Sequence, residues 1–144
     1  MWVTAYTDAS FKDGVGGWAI WLRSELGRVV LSGKCPETVT DNSLAEMYAI
    51  GKAIGTAKDT WSVTTGVQIN TDHQGCITLL KRGDFSKPIT SDLELLAWDI
   101  RAMVNNHRLR LHLKHVKGHG NGRDIRSYLN NKVDGLAGKH TGRY

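Results

Sequence analysis

The chain has 144 residues, 40% hydrophobic and 23% charged, and no apolar run approaches membrane-spanning length. That size is enough for one compact domain with its own core, so residues 1–144 read as a single domain, and the opening MWVTAYTDAS lacks the basic-then-apolar layout of a signal peptide. The net charge of +5 is unevenly spread, with six Lys/Arg against eight Asp/Glu in residues 1–80 and thirteen against six in residues 81–144. Such a division suits a polyanionic partner, although a merely soluble basic surface explains the charge equally well. Cys35 and Cys76 form no metal-type pair and read as two reduced, buried thiols of a cytoplasmic protein.

Residues 2–8 (WVTAYTD) alternate and carry β-formers, which predicts a strand ending at Asp8. The glycines of KDGVGG turn the chain into a second strand, GWAIWLR, and LGRVVLSGK reads as a third, hairpin-linked strand. Leu44, Met47, Tyr48, Gly51 and Ile54 recur at helical spacing and predict a long helix from about Asn42 to Lys58. Gly66–Asp72 reads as a fourth strand, with Val67 and Ile69 on one face and Gln68, Asn70 and Asp72 on the other. Helices are expected over roughly 74–82 and 90–106, a fifth strand over Leu109–Val116, and a final helix from about Arg126 to Lys139 after a glycine-rich loop. The order implies an α/β fold. Its mixed five-stranded sheet combines a three-strand antiparallel meander with two parallel strands, and helices flank it. Ligands gather beyond the carboxyl ends of parallel strands, where Asp8 and Asp72 are placed.

Four motifs, TDAS, SLAEM, NTD and NNKVD, bring carboxylates to two strand ends, one helix start and one late helix. Phosphodiester cleavage with two metal ions about 4 Å apart needs carboxylates converging in this way. Each of the four also has a plain structural reading. Asp8 could cap the turn after its strand. Ser43 and Glu46 form a capping-box pattern at the helix start. Asp72 could be the N-cap of the next helix, and Asp134 could lie on a solvated helix face, four residues after Asn130. Four histidines, His107, His112, His115 and His119, do not make a zinc site: His112 and His115 point to opposite faces of a strand, and no cysteine is near to complete a tetrahedral set. The tryptophans read as core and anchoring residues rather than a base-stacking platform, with Trp2, Trp18 and Trp21 in strands.

Taken together and in order, these motifs resemble the type 1 ribonuclease H family over essentially the whole chain. Thr7-Asp8-Ala9-Ser10 is similar to the family's first strand end, and DGVGGWAIWL to the glycine-rich hairpin after it. Asn42-Ser43-Leu44-Ala45-Glu46-Met47 matches the helix start with the second carboxylate, and Thr71-Asp72-His73-Gln74 matches the third-carboxylate segment. Val116-Lys117-Gly118-His119 is the late family signature intact, followed by Asn130, Asp134, Leu136 and Ala137 at the family's helical spacing.

The resemblance implies a ribonuclease H-like fold and an endoribonuclease acting on the RNA strand of RNA–DNA hybrids. Asp8, Glu46, Asp72 and Asp134 would hold two Mg²⁺ ions, with Mn²⁺ as a substitute, around the scissile phosphate, and the products would carry 5′-phosphate and 3′-hydroxyl ends. His119 would assist proton transfer or product departure. Asn42, Ser43, Gln74 and Asn130 would contact the hybrid, the first three at the minor groove where a 2′-hydroxyl marks RNA. Ala9 and His73 replace the family's usual Gly and Ser, and the stretch from His119 to Asp134 is longer than usual. Only LLKRGDFSKP stands where many members carry a basic helical protrusion, so this is a compact member. Arg101, Arg108, Arg110, Lys114, Lys117, Arg123 and Arg126 could supply phosphate contacts in its place. The chain is expected to be complete, monomeric and cytoplasmic, with no membrane association and no obligatory protein partner.

Two other functions compete. A DNA-directed phosphoryl transferase of the same fold, such as a junction resolvase or transposase core, usually lacks VKGH and the following Asn-x-x-x-Asp. A non-catalytic hybrid- or RNA-binding module would be favoured by loss of a carboxylate, and all four are present.

Overall fold

A computed structural model describes residues 1–82, 88–116, 134, 135, 137 and 138. Three strands come first: β1 (Trp2–Lys12), β2 (Val15–Ser24) and β3 (Gly27–Lys34). They are followed by α1 (Asn42–Thr60), β4 (Gly66–Thr71), α2 (Gln74–Arg82), α3 (Asp92–Asn106) and β5 (Arg110–His115). The sheet order is β3-β2-β1-β4-β5, with β1–β2 and β2–β3 antiparallel and β1–β4 and β4–β5 parallel. This is the expected meander joined to two parallel strands. Nine residues, 83–91, separate α2 from α3, and those over 83–87 lie outside the described residues.

One boundary differs in a way that matters. β1 does not end at Asp8 but runs on to Lys12, because Phe11 and Lys12 still pair with Gly16 and Val15 of β2. The reversal is made by Asp13 and Gly14 alone, at φ 53° and 78°. A two-residue turn with both φ values positive matches the right-handed twist of the flanking strands, and glycine enters that region without a Cβ penalty. Gly16 and Gly17 therefore belong to β2 rather than to the turn.

Helix α1 is buried on more than the one stripe its periodicity suggested. Ala45, Ala49, Ala53 and Ala57 are all fully buried at four-residue spacing, and their small side chains let the helix press onto the sheet. On its other side, Gly51 admits Ile100 of α3 so closely that a Cβ there would meet the Ile100 side chain at 3.3 Å. Between them sits the main core, where Val3, Ile20, Leu22, Met47, Ile50, Ile54, Val67, Ile69 and Leu80 are almost wholly buried. Each such aliphatic side chain contributes about 1.5–3 kcal/mol of burial.

The opposite sheet face has its own small cluster. Tyr6 and Trp21, paired across β1 and β2, meet edge to face at 5.8 Å, and with Ala19 they pack around Ala137. Asp134, Gly135, Ala137 and Gly138 are helical. The remainder of the final helix expected over 126–139 lies outside the described residues. The sheet is thus approached by α1 from one face and by the Asp134 helix from the other.

Candidate metal centre

Register brings the first and third carboxylates together. In the β1–β4 pair Trp2 lies opposite Gly66 and Tyr6 opposite Asn70, so two further residues along each chain put Asp8 level with Asp72. Asp72 comes just after the last residue of β4, as expected, whereas Asp8 lies inside β1, beyond the point where its parallel pairing stops. Side chains there leave the β1–β4 ladder and face the sheet's carboxyl end.

Glu46 arrives from α1. The capping-box reading of Ser43 and Glu46 does not hold: the N-cap is Asp41, whose Oδ1 accepts from the Leu44 amide at 2.8 Å. Glu46 thus sits in the second turn, on the side of the alanine stripe, and is only 4% exposed. The N-cap reading of Asp72 also fails. The Nδ1 of His73 accepts from the Cys76 amide at 3.1 Å and caps α2, leaving the Asp72 carboxylate uncommitted to the helix. The backbone around Asp72 is pinned instead. His115 Nε2 lies 3.2 Å from its carbonyl and donates to it, while the His73 amide donates to Thr71 Oγ1 at 3.2 Å.

One ligand oxygen from each of Asp8, Glu46 and Asp72 lies within 4.8 Å of the other two. Asp134 joins them through a side-chain hydrogen bond to Asp8. All four predicted carboxylates therefore converge, with Glu46 from one sheet face and Asp134 from the other. Burial is the main force raising the Asp8 pKa, followed by its hydrogen bond to Asp134 and the charges of Glu46, Asp134 and Asp72. Burial likewise raises Glu46, with the Asp72 charge adding to it and hydrogen bonds from Asp8 and the Ala9 backbone opposing it.

The cluster fits a hard divalent cation. Its donors are all carboxylate oxygens, the ligand type that Mg²⁺ takes. Asp8 Oδ2 and Glu46 Oε2 are buried and find no hydrogen-bond partner among the described residues. A buried acceptor left in that state costs about 1–3 kcal/mol, more when charged, and a cation would remove the cost.

Around this centre, Asn42 and Gln74 are exposed and Ser43 is half-buried, all near the carboxylates in sequence and on the same two helix starts. His119 and Asn130 lie outside the described residues. Two contributors were not read as such in the sequence: His73, taken only as a tolerable replacement for Ser, and His115, taken only as half of a rejected zinc pair. As a regular strand, β5 sends His112 and His115 to opposite faces. Cys76 and Cys35 are pushed up to about 12 and about 11, mainly by burial, and act as inert packing groups. A cavity of about 520 Å³ between α1 and α3, lined by Val39, Leu44, Tyr48, Leu95, Leu96 and Asp99 among others, contains none of the four carboxylates.

The RNase H family model matches residues 2–141, almost the full chain. The chain belongs to the RNase H family. Among solved structures, LC11-RNase H1 in complex with RNA/DNA hybrid is similar at a TM-score of 0.76 and 16% identity, over 98% of this chain and 97% of that one. The RNase H1 of the halophilic archaeon Halobacterium salinarum NRC-1 is similar at 0.67 and 20% identity, with both chains fully covered. Prototype foamy virus protease-reverse transcriptase matches at 0.69 and 19% identity, over 96% of this chain but only 20% of the viral one. These likenesses show a shared RNase H fold. Comparison with curated protein sequences gave no match. As a ribonuclease H, the chain carries an acidic cluster that could hold a metal ion.

Proposed function

We propose that this ribonuclease H hydrolyses the RNA strand of RNA–DNA hybrids, with two divalent cations, Mg²⁺ or Mn²⁺, held by Asp8, Glu46, Asp72 and Asp134. The observation that carries the reading is the convergence of Asp8, Glu46 and Asp72 within 4.8 Å, with buried Asp8 and Glu46 oxygens that lack a partner among the described residues. The cations would supply Lewis-acid stabilisation of charge on the attacking and departing oxygens of an in-line displacement. The chain's own part is to hold the scissile phosphate against a preorganised acidic pocket built from β1, the end of β4, α1 and the Asp134 helix turn. Asn42, Ser43 and Gln74 would orient the hybrid through its minor groove, where the 2′-hydroxyl distinguishes RNA. His119, assigned on its VKGH context, would carry a proton to or from the reacting oxygens, and the products would end in 5′-phosphate and 3′-hydroxyl.

Substrate choice is supported by the family and by the solved complex of LC11-RNase H1 with RNA/DNA hybrid. Two buried free cysteines support a reducing, cytoplasmic setting, and among the described residues no helix is long and apolar enough to cross a membrane. The test is incubation with Mg²⁺ and end-labelled RNA–DNA hybrid, double-stranded RNA and duplex DNA. Cleavage confined to the RNA of the hybrid is expected. Cutting of duplex DNA, or hybrid binding without cutting, would each overturn the reading.

A further inference from the structure

The turn between β4 and α2 carries a histidine whose two ring nitrogens are both engaged. His73 Nδ1 accepts from the Cys76 amide at 3.1 Å, and His73 Nε2 lies 3.3 Å from Ser43 Oγ at the start of α1. The first contact fixes the chemistry of the second. A backbone N–H can only donate, so Nδ1 carries no proton, and the neutral ring must carry its proton on Nε2. Nε2 therefore donates, and Ser43 Oγ accepts. The serine's own hydrogen is left to point elsewhere, and Ser43 is half-buried beside exposed Asn42 at the start of α1.

The ring has a built seat. A Cβ on Gly75 would come within 3.2 Å of His73 Cε1, so this glycine gives the imidazole its room beside the helix start. A second tie runs parallel to the first, from Cys76 Sγ to the Ser43 carbonyl at 3.7 Å. The two ties lock together the helix starts that bear Glu46 and, two residues before α2, Asp72.

We propose that His73 is a positioning residue that makes Ser43 a fixed hydrogen-bond donor toward an acceptor in the minor groove of the bound hybrid. This rests on the hybrid-cleaving reading above. The acceptor is an oxygen or nitrogen lone pair, on either the ribose 2′-oxygen or a base edge. With one lone pair occupied by Nε2–H, the hydroxyl oxygen is held in place and its single hydrogen is left to turn to the substrate.

The test uses His73→Asn, because an asparagine caps α2 as well as histidine but is too short to reach Ser43. Steady-state cleavage of hybrid and thermal melting are measured for wild type, His73→Asn, Ser43→Ala and the double variant. His73→Asn should melt near wild type and raise KM about five- to tenfold, the scale of one lost hydrogen bond, with kcat falling no more than about twofold. Ser43→Ala should match it, and the double variant should be no worse than either single one. Single 2′-deoxy substitutions in the RNA strand separate the two acceptors: a ribose acceptor makes one such substitution harmless only in the variants, and a base acceptor leaves the response to all of them unchanged. An unchanged KM in His73→Asn, or additive effects in the double variant, would sink the inference while leaving hybrid cleavage standing. A wild-type protein that does not cut hybrid overturns both.

Discussion

Asn70 Nδ2 donates to the carbonyl oxygen of Ala5 at 3.0 Å, a side-chain rung between β4 and β1 one step before the two strands deliver Asp72 and Asp8. Asn70 is fully buried, and its Oδ1 in turn accepts from Gln68 Nε2 at 3.2 Å. The amide thus uses both its donor and its acceptor end in a place where an unmet polar group is expensive.

Asn70→Ala should therefore destabilise the protein by about 1–3 kcal/mol, since it strands its partners and opens a cavity. Because the lost rung lies beneath the carboxylates, kcat should fall more than KM rises. Urea unfolding together with steady-state cleavage checks both parts. A fully stable variant with normal kcat would show that the ladder alone keeps Asp8 and Asp72 level.

The raised pKa values of Asp8 and Glu46 have a definite sign in the stability of the metal-free protein. The folded state holds these protons more tightly than the unfolded chain, so stability grows as pH falls from above the folded values toward the ordinary carboxylate range. It is lost as pH rises through that window. Melting in a chelator should accordingly show a higher Tm at pH 6 than at pH 8. Added Mg²⁺ should raise Tm more at pH 8, because binding displaces protons. Equal Mg²⁺ stabilisation at both pH values would mean the buried oxygens are not the ligands.

Asp8→Asn removes one of several crowded negative charges while keeping the side chain's shape. It should abolish cleavage and yet raise the metal-free Tm, the exchange of stability for function expected of an acidic pocket. Differential scanning calorimetry in chelator, beside a hybrid-cleavage assay, reads the two effects. A lowered Tm would mean that the cluster's mutual repulsion is already relieved in the wild type.

Asp72 is more exposed than Asp8 and Glu46, so Asp72→Asn should leave stability within about 1 kcal/mol of wild type while cleavage falls to background. His119→Ala should slow turnover without eliminating it, as the loss of a proton carrier does. Single-turnover kinetics on a labelled hybrid separates the two cases. Near-normal turnover by Asp72→Asn would remove it from the ligand set.

Asp41→Ala should cost about 0.5–2 kcal/mol through loss of the α1 cap, measurable by denaturant unfolding. Ser43→Ala should cost much less, since Ser43 holds no cap. The reverse ranking would restore the capping-box reading.

The sheet topology was legible because hydrophobic alternation and helix-length intervals prescribe a meander followed by parallel crossovers. The carboxylates were legible through their motifs. What local pattern misassigned were the boundaries on which chemistry depends. Asp8 read as a strand end because the alternation of WVTAYTD was followed only that far, but β2 pairing extends the strand through Lys12. Ser-Leu-Ala-Glu matched a capping box, yet Asp41 stood two residues earlier with an equally good capping side chain, and it wins the helix start. His73 carried no signal at all. Its contact with Ser43 depends on where the start of α1 lies relative to the end of β4, and no spacing rule encodes that.

The parallel register of β1 with β4 makes the acidic pocket sensitive to counting rather than to chemistry along the approach to it. A single residue inserted between Trp2 and Asp8 would swing the carboxylate to the other side of the pleat, whatever amino acid was added. Replacing Val3 or Ala5 with another small apolar residue would leave Asp8 level with Asp72. Distance along the strand, kept to the residue, is what this constellation of acids depends on.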